Sequence, residues 1–494
     1  MLTQCPGNAF QAAAGALLAA ILPAWQLPRS GRSRYTASPC LPKSLPMLDL
    51  LKPLLHVDSL LHVRWLLPMQ GPASALSHQT VAITDGIIVD VGPSQELIGR
   101  YMAGREYTLD RHVLMPGLVN AHGHAPMALL RGFADDLPLQ PWLEQKIWPA
   151  EAKWLGEGYV AAGARLAIAE MLLGGTTTFC DMYFHPEVIA GVAAEEGIRA
   201  QLAAPILDFP TAFAGSADEY IAKATRLVDQ YRHHDRISVA FGPHAPYTVS
   251  NEPLRKIAML AEELDISIHM HVHENAQEIT DARQRDGLRP LRRLKQLELL
   301  GPRMQCVHMT QLLDDEISLL AESGAHVVHC PSSNLKLASG FCPVSDLLAA
   351  GVNVALGTDS CSSNNSLDML AELKLAALLA KGRSGDAGAL PAWQALQMAT
   401  RQGARALGLE DRIGSIEIGK QADLVALDLQ EPRTQPIYDV NSTVAYSAAA
   451  SQVSHVWVQG QLLVTDHQLT RLDLEAALQE ANRWGAGIAA GSLI

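Results

Sequence analysis

Eight short apolar runs alternate with helix-length stretches between residues 117 and 359, and this alternation limits the possible folds more than any other feature of the chain. The runs are GLVNAH (117–122), TTFCDMY (177–183), RAQLAAPIL (199–207), ISVAFGPH (237–244), SIHMHVH (267–273), MQCVH (304–308), HVVHC (326–330) and NVALGTD (353–359). Between most of them lie amphipathic stretches, such as GYVAAGARLAIAEMLLG (158–174) and NEPLRKIAMLAEELD (251–265). Strand–helix alternation repeated eight times predicts an α/β fold, a (β/α)8 TIM barrel. A doubly wound open sheet is the competing architecture. It usually carries a glycine-rich phosphate loop, and neither GxGxxG nor a P-loop motif occurs here.

Most of the runs end in ionisable residues: His122 and His124, Asp181, His244, the trio His269, His271 and His273, then His308, His329 and Asp359. Barrel enzymes place their chemistry at the C-terminal ends of strands. Polarity also resumes wherever a strand ends, but that explains so many histidines poorly. In His122-Gly123-His124 the two imidazoles share one face of a strand and can aim at one metal, with Gly123 allowing a close backbone approach. Imidazole suits zinc or another borderline metal, with a third ligand and an open position for water. His269, His271 and His273 share one parity, and spacing alone does not choose among them. Glu274 follows directly, where a general acid or base reaches the site. Asp359 can complete the metal site and take a proton from water. His308 reads either as a buried, hydrogen-bonded core residue or as a group that orients the hydroxide or leaving group.

The flanks have a different texture. VAITDGIIVDVGP within residues 48–115 is a hairpin signature with an Asp85-Gly86 turn, and similar runs return at 420–429 and 454–464. Residues 1–46 read as an unstructured extension or a misassigned start. Their apolar run at 12–25 lacks the preceding positive charge of a signal peptide and is short for a bilayer span. A net charge of −13 argues against nucleic-acid binding. Seven scattered cysteines without a CxxC argue against a disulfide framework and against a zinc site of four cysteines, and suit a reducing cytoplasm.

PGLVNAHGH (116–124), HVHE (271–274) and LGTDS (356–360) resemble the first-, fifth- and eighth-strand motifs of the amidohydrolase superfamily. The resemblance implies a (β/α)8 barrel over 116–410, a small β-sandwich built from both chain ends (47–115 and 411–470) and a C-terminal helix over 471–494. It implies His122, His124, His271 and Asp359 as ligands of one divalent metal, with zinc expected, and Glu274, His308 and Asp359 as catalytic groups. The fourth strand ends in His244 with no bridging lysine, so the implied site is mononuclear. Within the superfamily, RGFADDLPLQPWLEQKIWPAE (131–151), DMYF (181–184), FGPHAPYT (241–248), NLKLASG (334–340) and GTDSCSSNNSLD (357–368) resemble the 5'-methylthioadenosine/S-adenosylhomocysteine deaminases. That likeness implies hydrolytic deamination of a purine nucleoside by a metal-activated water, in a cytoplasmic homo-oligomer with no membrane or nucleic-acid partner. It carries Trp142, Glu151, His244, Glu274, Asp359 and Ser363 over as substrate contacts, Glu151 gripping the ribose hydroxyls. Read without the resemblance, Glu151 is a first-turn helix residue after Pro149 and Trp142 a core or lid residue.

One departure bears on the substrate. Family members that accept S-adenosylhomocysteine hold its carboxylate with arginines after the third strand, and residues 203–220 contain no Arg or Lys. An apolar 5' tail is therefore expected, with 5'-methylthioadenosine ahead of S-adenosylhomocysteine and adenosine also accepted. The alternatives are an s-triazine or other heterocycle hydrolase on the same site, and a non-catalytic ligand-binding barrel. The HxE…PCxxC motif of zinc nucleobase deaminases is absent.

Overall fold

The computed structural model describes residues 54–71 and 75–491. The expectations for residues 1–46, and for Met47 as the opening of the domain, lie outside the described residues. A mixed sheet made from both flanks contains β1 (Leu55–Leu66), β2 (Leu76–Thr84), β3 (Ile87–Pro93) and β4 (Tyr101–Pro116). The barrel strands follow: β5 (Leu118–Gly123), β6 (Thr176–Asp181), β7 (Arg199–Ile206), β8 (Ile237–Pro243), β9 (Ile268–Val272), β10 (Met304–His308), β11 (His326–His329) and β12 (Val354–Leu356). The chain then returns to the mixed sheet with β13 (Leu424–Asp428), β14 (Val453–Val458), β15 (Gln461–Thr465) and β16 (Gln468–Leu469).

Strands β5 to β12 pair in sequence order, all parallel, and form a nearly closed barrel. Nearly every residue in them is buried, as expected for strands covered on both faces. The seam between β12 and β5 is held by the Asp359 amide donating to the His122 carbonyl at 3.0 Å. Beside it, the Asn120 side chain bonds the Thr358 amide (2.9 Å) and hydroxyl (2.7 Å). All eight apolar runs become barrel strands, each shifted by no more than three residues at either end.

One expectation changes in character. The helix Glu157–Leu173 is not amphipathic in the ordinary sense, because Tyr159, Val160, Ala164, Ile168, Met171 and Leu172 are buried around much of its circumference. Its outer side is covered by the C-terminal helix Leu474–Ala490, where Tyr159 and Trp484 meet edge to face. On its inner side Gly163 lets the Pro126 backbone approach to within 2.3 Å of where a β-carbon would stand.

The mixed sheet runs β16-β15-β14-β13-β4-β1-β2-β3. Its β2–β3 turn places Asp85 and Gly86 in the left-handed region (φ 51° and 75°), which a two-residue hairpin turn requires. Residue β4 Pro116 lies one position from Gly117 and leads straight into β5, so the sheet fixes where the first barrel strand begins. Among the described residues, no helix is long and apolar enough to cross a membrane.

Candidate metal centre and substrate cavity

The C-terminal ends of β5, β9, β10 and β12 bring His122, His124, His271, His308 and Asp359 together. Ligand atoms of His122, His124 and His271 all lie within 4.8 Å of one another, as do those of His122, His308 and Asp359. Asp359 Oδ1 is 3.3 Å from Nε2 of both His122 and His124. Each of the three clustered imidazoles turns Nδ1 to a partner: His122 to His269 Nε2 (2.8 Å), His124 to the Met182 carbonyl (2.5 Å) and His271 to the His244 carbonyl (2.8 Å). Their Nε2 atoms therefore face the shared space, and that of His122 is buried without a hydrogen bond. Three convergent imidazoles and a carboxylate, each oriented by an outer partner, fit a divalent metal with nitrogen–oxygen preference.

Electrostatics agree with that donor set. Burial, then His122, His244 and other neighbouring histidines, hold His271 well below the usual histidine range, so it stays neutral. Burial lowers His122 similarly, against the pull of Asp359. For His124 burial also lowers the value, but Asp359, with Asp181 and the Met182 carbonyl, outweighs it and raises the ring to about 9. Burial would raise Asp359, yet the two histidines hold it well below the usual carboxylate range. His122 and His271 are thus held as neutral nitrogen donors, while His124 carries the positive charge that the Asp359 carboxylate attracts.

The fifth-strand histidines separate by level. His269 lies beneath His122, with Nδ1 2.6 Å from Gln305 Oε1. His271 joins the cluster. His273, past the strand end with φ 54°, accepts from the Leu291 amide at 3.1 Å and points elsewhere. His308 and Asp359 also adopt left-handed backbone (φ 75° and 60°), conformations that non-glycine residues hold only where surroundings over-determine them. His308 Nδ1 is 2.9 Å from Asn334 Oδ1, and its Nε2 is 3.9 Å from Glu274 Oε1. Burial raises the Glu274 carboxyl, with His308 opposing, so it is poised to carry a proton. Gly123 does not serve close approach as expected, since a β-carbon there would meet nothing nearer than 3.7 Å. The tight position is Gly357.

Several residues that sequence reasoning did not assign hold this arrangement. Ser333 donates to Asp359 Oδ2 at 2.6 Å, and the Glu278 carboxylate accepts from the amides of His273 (3.0 Å) and Glu274 (2.7 Å). Asn334 lies within the NLKLASG stretch and Glu278 stands three residues after Asn275, the N-cap of the helix Ala276–Asp286, whereas Ser333 carries no local signal of its role.

A cavity of about 320 Å³ opens onto the cluster. Trp142, Glu151, His244, Glu274, Asp359 and Ser363 all line it, with Tyr183, Phe184, Leu207, Phe209 and Tyr247. Burial raises Glu151 to about 7, partly offset by the Tyr183 hydroxyl, and lowers His244 to about 4. The Ser363 hydroxyl is already engaged, 3.1 Å from Asp359 Oδ2. Among the described residues, no lysine or arginine lines the cavity.

A barrel carrying this donor set at its C-terminal rim defines the architecture of a metal-dependent hydrolase. The model of the Amidohydrolase family matches residues 113–463. A protein from Teredinibacter turnerae named 5-methylthioadenosine/S-adenosylhomocysteine deaminase is 49% identical over 428 residues, 87% of this chain and 97% of that one. A protein of the same name from Thermodesulfovibrio yellowstonii is 41% identical over 87% of this chain and 98% of its own. Among solved structures, an adenosine deaminase from Xanthomonas campestris with bound zinc superposes with a TM-score of 0.88 at 49% identity, covering 89% of this chain and all of that one. The zinc complex of atrazine chlorohydrolase from Arthrobacter aurescens is more distant, at 25% identity and a TM-score of 0.79 over 86% of this chain and 100% of its own. The chain belongs to the amidohydrolase family, within the group that contains these deaminase-named relatives.

Proposed function

We propose that this chain hydrolytically deaminates 5'-methylthioadenosine, and also adenosine, to the inosine analogue and ammonia. The observation that carries the reading is one cavity that joins the His122–His124–His271–Asp359 cluster and Glu274 to a largely apolar lining that includes Phe209, Pro210 and Ala212 and, among the described residues, no lysine or arginine. His122, His124, His271 and Asp359 would hold one zinc ion, which supplies Lewis acidity and lowers the pKa of water toward neutrality. Glu274 delivers a proton to a ring nitrogen, making C6 of the purine electrophilic. Asp359 accepts the proton of the attacking water. His308, tied back by Asn334, holds that water against the ring face. Glu151 receives the ribose hydroxyls, for which a carboxylate offers two acceptors. Trp142 and His244 flank the nucleoside, and Ser363 steadies Asp359.

The apolar wall sets the tail preference. Phe209, Pro210, Thr211 and Ala212 follow β7 and line the cavity. Lys223, the first lysine or arginine after this segment, is engaged by the Phe213 carbonyl and ring. A methylthio group suits this wall, whereas a homocysteine carboxylate would find no guanidinium. The test is a kinetic comparison of adenosine, 5'-methylthioadenosine and S-adenosylhomocysteine, followed by the adenine-to-hypoxanthine absorbance change, with metal analysis of the same sample. The highest kcat/KM on S-adenosylhomocysteine overturns the tail preference. Halide release from a chlorotriazine without nucleoside deamination overturns the reaction.

The reading includes a cytoplasmic homo-oligomer. Cys180, Cys306, Cys330, Cys342 and Cys361 are buried free thiols, which suits a reducing compartment. Light scattering on the purified protein tests the assembly.

A further inference from the structure

We infer that His269 and Gln305 are positioning residues that fix the tautomer of His122 and thereby strengthen the metal site. The inference rests on the metal reading above. The Ala406 carbonyl can only accept, so the Gln305 atom 2.7 Å away is the amide nitrogen. That nitrogen also donates to Gln201 Oε1 at 3.0 Å, and Gln201 is itself oriented by donating to the Leu407 carbonyl at 3.1 Å. Gln305 must then turn its oxygen to His269 Nδ1, 2.6 Å away, and an oxygen there requires that Nδ1 carry the hydrogen. His269 Nε2 is left with a lone pair, which accepts from His122 Nδ1 at 2.8 Å. His122 therefore carries its hydrogen on Nδ1 and offers the lone pair of Nε2, the atom that is buried without a hydrogen bond among the clustered ligands.

The relay is out of bulk water: His122, His269 and Gln305 are each 0% exposed. It crosses an interior otherwise filled by Val119, Ala121, Ala203, Ala240, Val328 and Ala355. Apolar side chains would fill that space without the cost of desolvating an imidazole and an amide. The other two clustered histidines need no relay, because the backbone carbonyls of Met182 and His244 orient them directly. For His122 the corresponding anchor is the Ala406 carbonyl, reached only through His269 and Gln305.

The experiment compares zinc affinity, by competition with a chromophoric chelator, in wild type, His269→Leu, His269→Gln and Gln305→Met. Melting of the metal-free proteins reports structural damage separately. The leucine and methionine variants should bind zinc about 10- to 100-fold more weakly, the range for losing an outer partner of a metal ligand. His269→Gln, whose amide oxygen can take the place of Nε2, should recover most of the affinity. In 15N-histidine spectra of zinc-loaded wild type, His269 should be protonated at Nδ1. Unchanged zinc affinity in both apolar variants overturns the inference, as does a His269 proton on Nε2; the spectrum decides alone if those variants do not fold. Wild type that binds no zinc overturns the metal reading itself, and the inference with it.

Discussion

Gly357 passes so close to His122 that a β-carbon on the glycine would lie 2.8 Å from both the β-carbon and the amide nitrogen of the histidine. Both contacts fall on backbone or on the first side-chain atom, so neither can swing aside. Gly357→Ala should therefore push β12 off β5 and tilt His122 out of the cluster. Overpacking of this kind costs about 1–3 kcal/mol. The expected outcome is a lower melting temperature together with zinc loss, read by calorimetry and metal analysis. A variant that keeps full zinc content would show that the seam can yield without moving the ligand.

Glu274 sits in the cavity wall but outside the cluster of clustered imidazoles. Glu274→Gln keeps its size and removes only the titrating group. Turnover should fall by about 10²- to 10⁴-fold, the usual contribution of a positioned acid–base group. Zinc stoichiometry should stay at the wild-type value, which separates loss of proton transfer from loss of the site.

The barrel was legible in the sequence because its strands are buried on both faces and so appear as unbroken apolar runs. The candidate cluster was legible because histidines interrupt such runs only where something needs them. Other features had no local signature. HMHVHE (269–274) leaves three histidines of equal parity, and only the end of β9 at Val272 and the turn after it separate their levels. Ser333 and Asn334 reach the cluster from a neighbouring segment, so their partners are fixed by tertiary packing rather than by spacing, whereas Glu278 bonds amides only four and five residues before it. The buried helix Glu157–Leu173 looked two-sided because alanine and glycine suit a packed interface as well as a solvated face. Gly123 drew attention as the residue between two histidines, while the glycine that permits the crossing lies on the opposite side of the seam.

His326 predicts an acid-sensitive fold away from the metal cluster. Burial lowers its pKa to about 4, helped by Arg405 and opposed by the Pro302 carbonyl and Glu410. The unfolded chain has a pKa of about 6.5, so between those values it binds more protons than the folded chain. The stability this neutral ring contributes is therefore complete above about pH 6.5 and lost as pH falls through about 4. His326→Gln should flatten the dependence of melting temperature on pH within that window. An unchanged slope would assign the acid sensitivity to other groups.

Arg199 and Asp423 join the first residue of β7 to the mixed sheet through a buried, two-pronged ion pair. Arg199 Nε lies 2.9 Å from Oδ2 and Nη2 3.1 Å from Oδ1, and both side chains are 2% exposed. Asp423 also accepts from the Gln459 amide at 2.7 Å, so the carboxylate ties a hairpin of the sheet to the base of the barrel. Removing one partner strands a charge where water cannot solvate it. Arg199→Met alone should destabilise by about 3–5 kcal/mol in chemical denaturation. The double variant with Asp423→Leu removes both charges and should regain most of that loss, because desolvating an ion pair offsets much of its attraction. Two single variants whose losses simply add in the double variant would show that the side chains act independently, and that the joint between sheet and barrel rests on its apolar contacts.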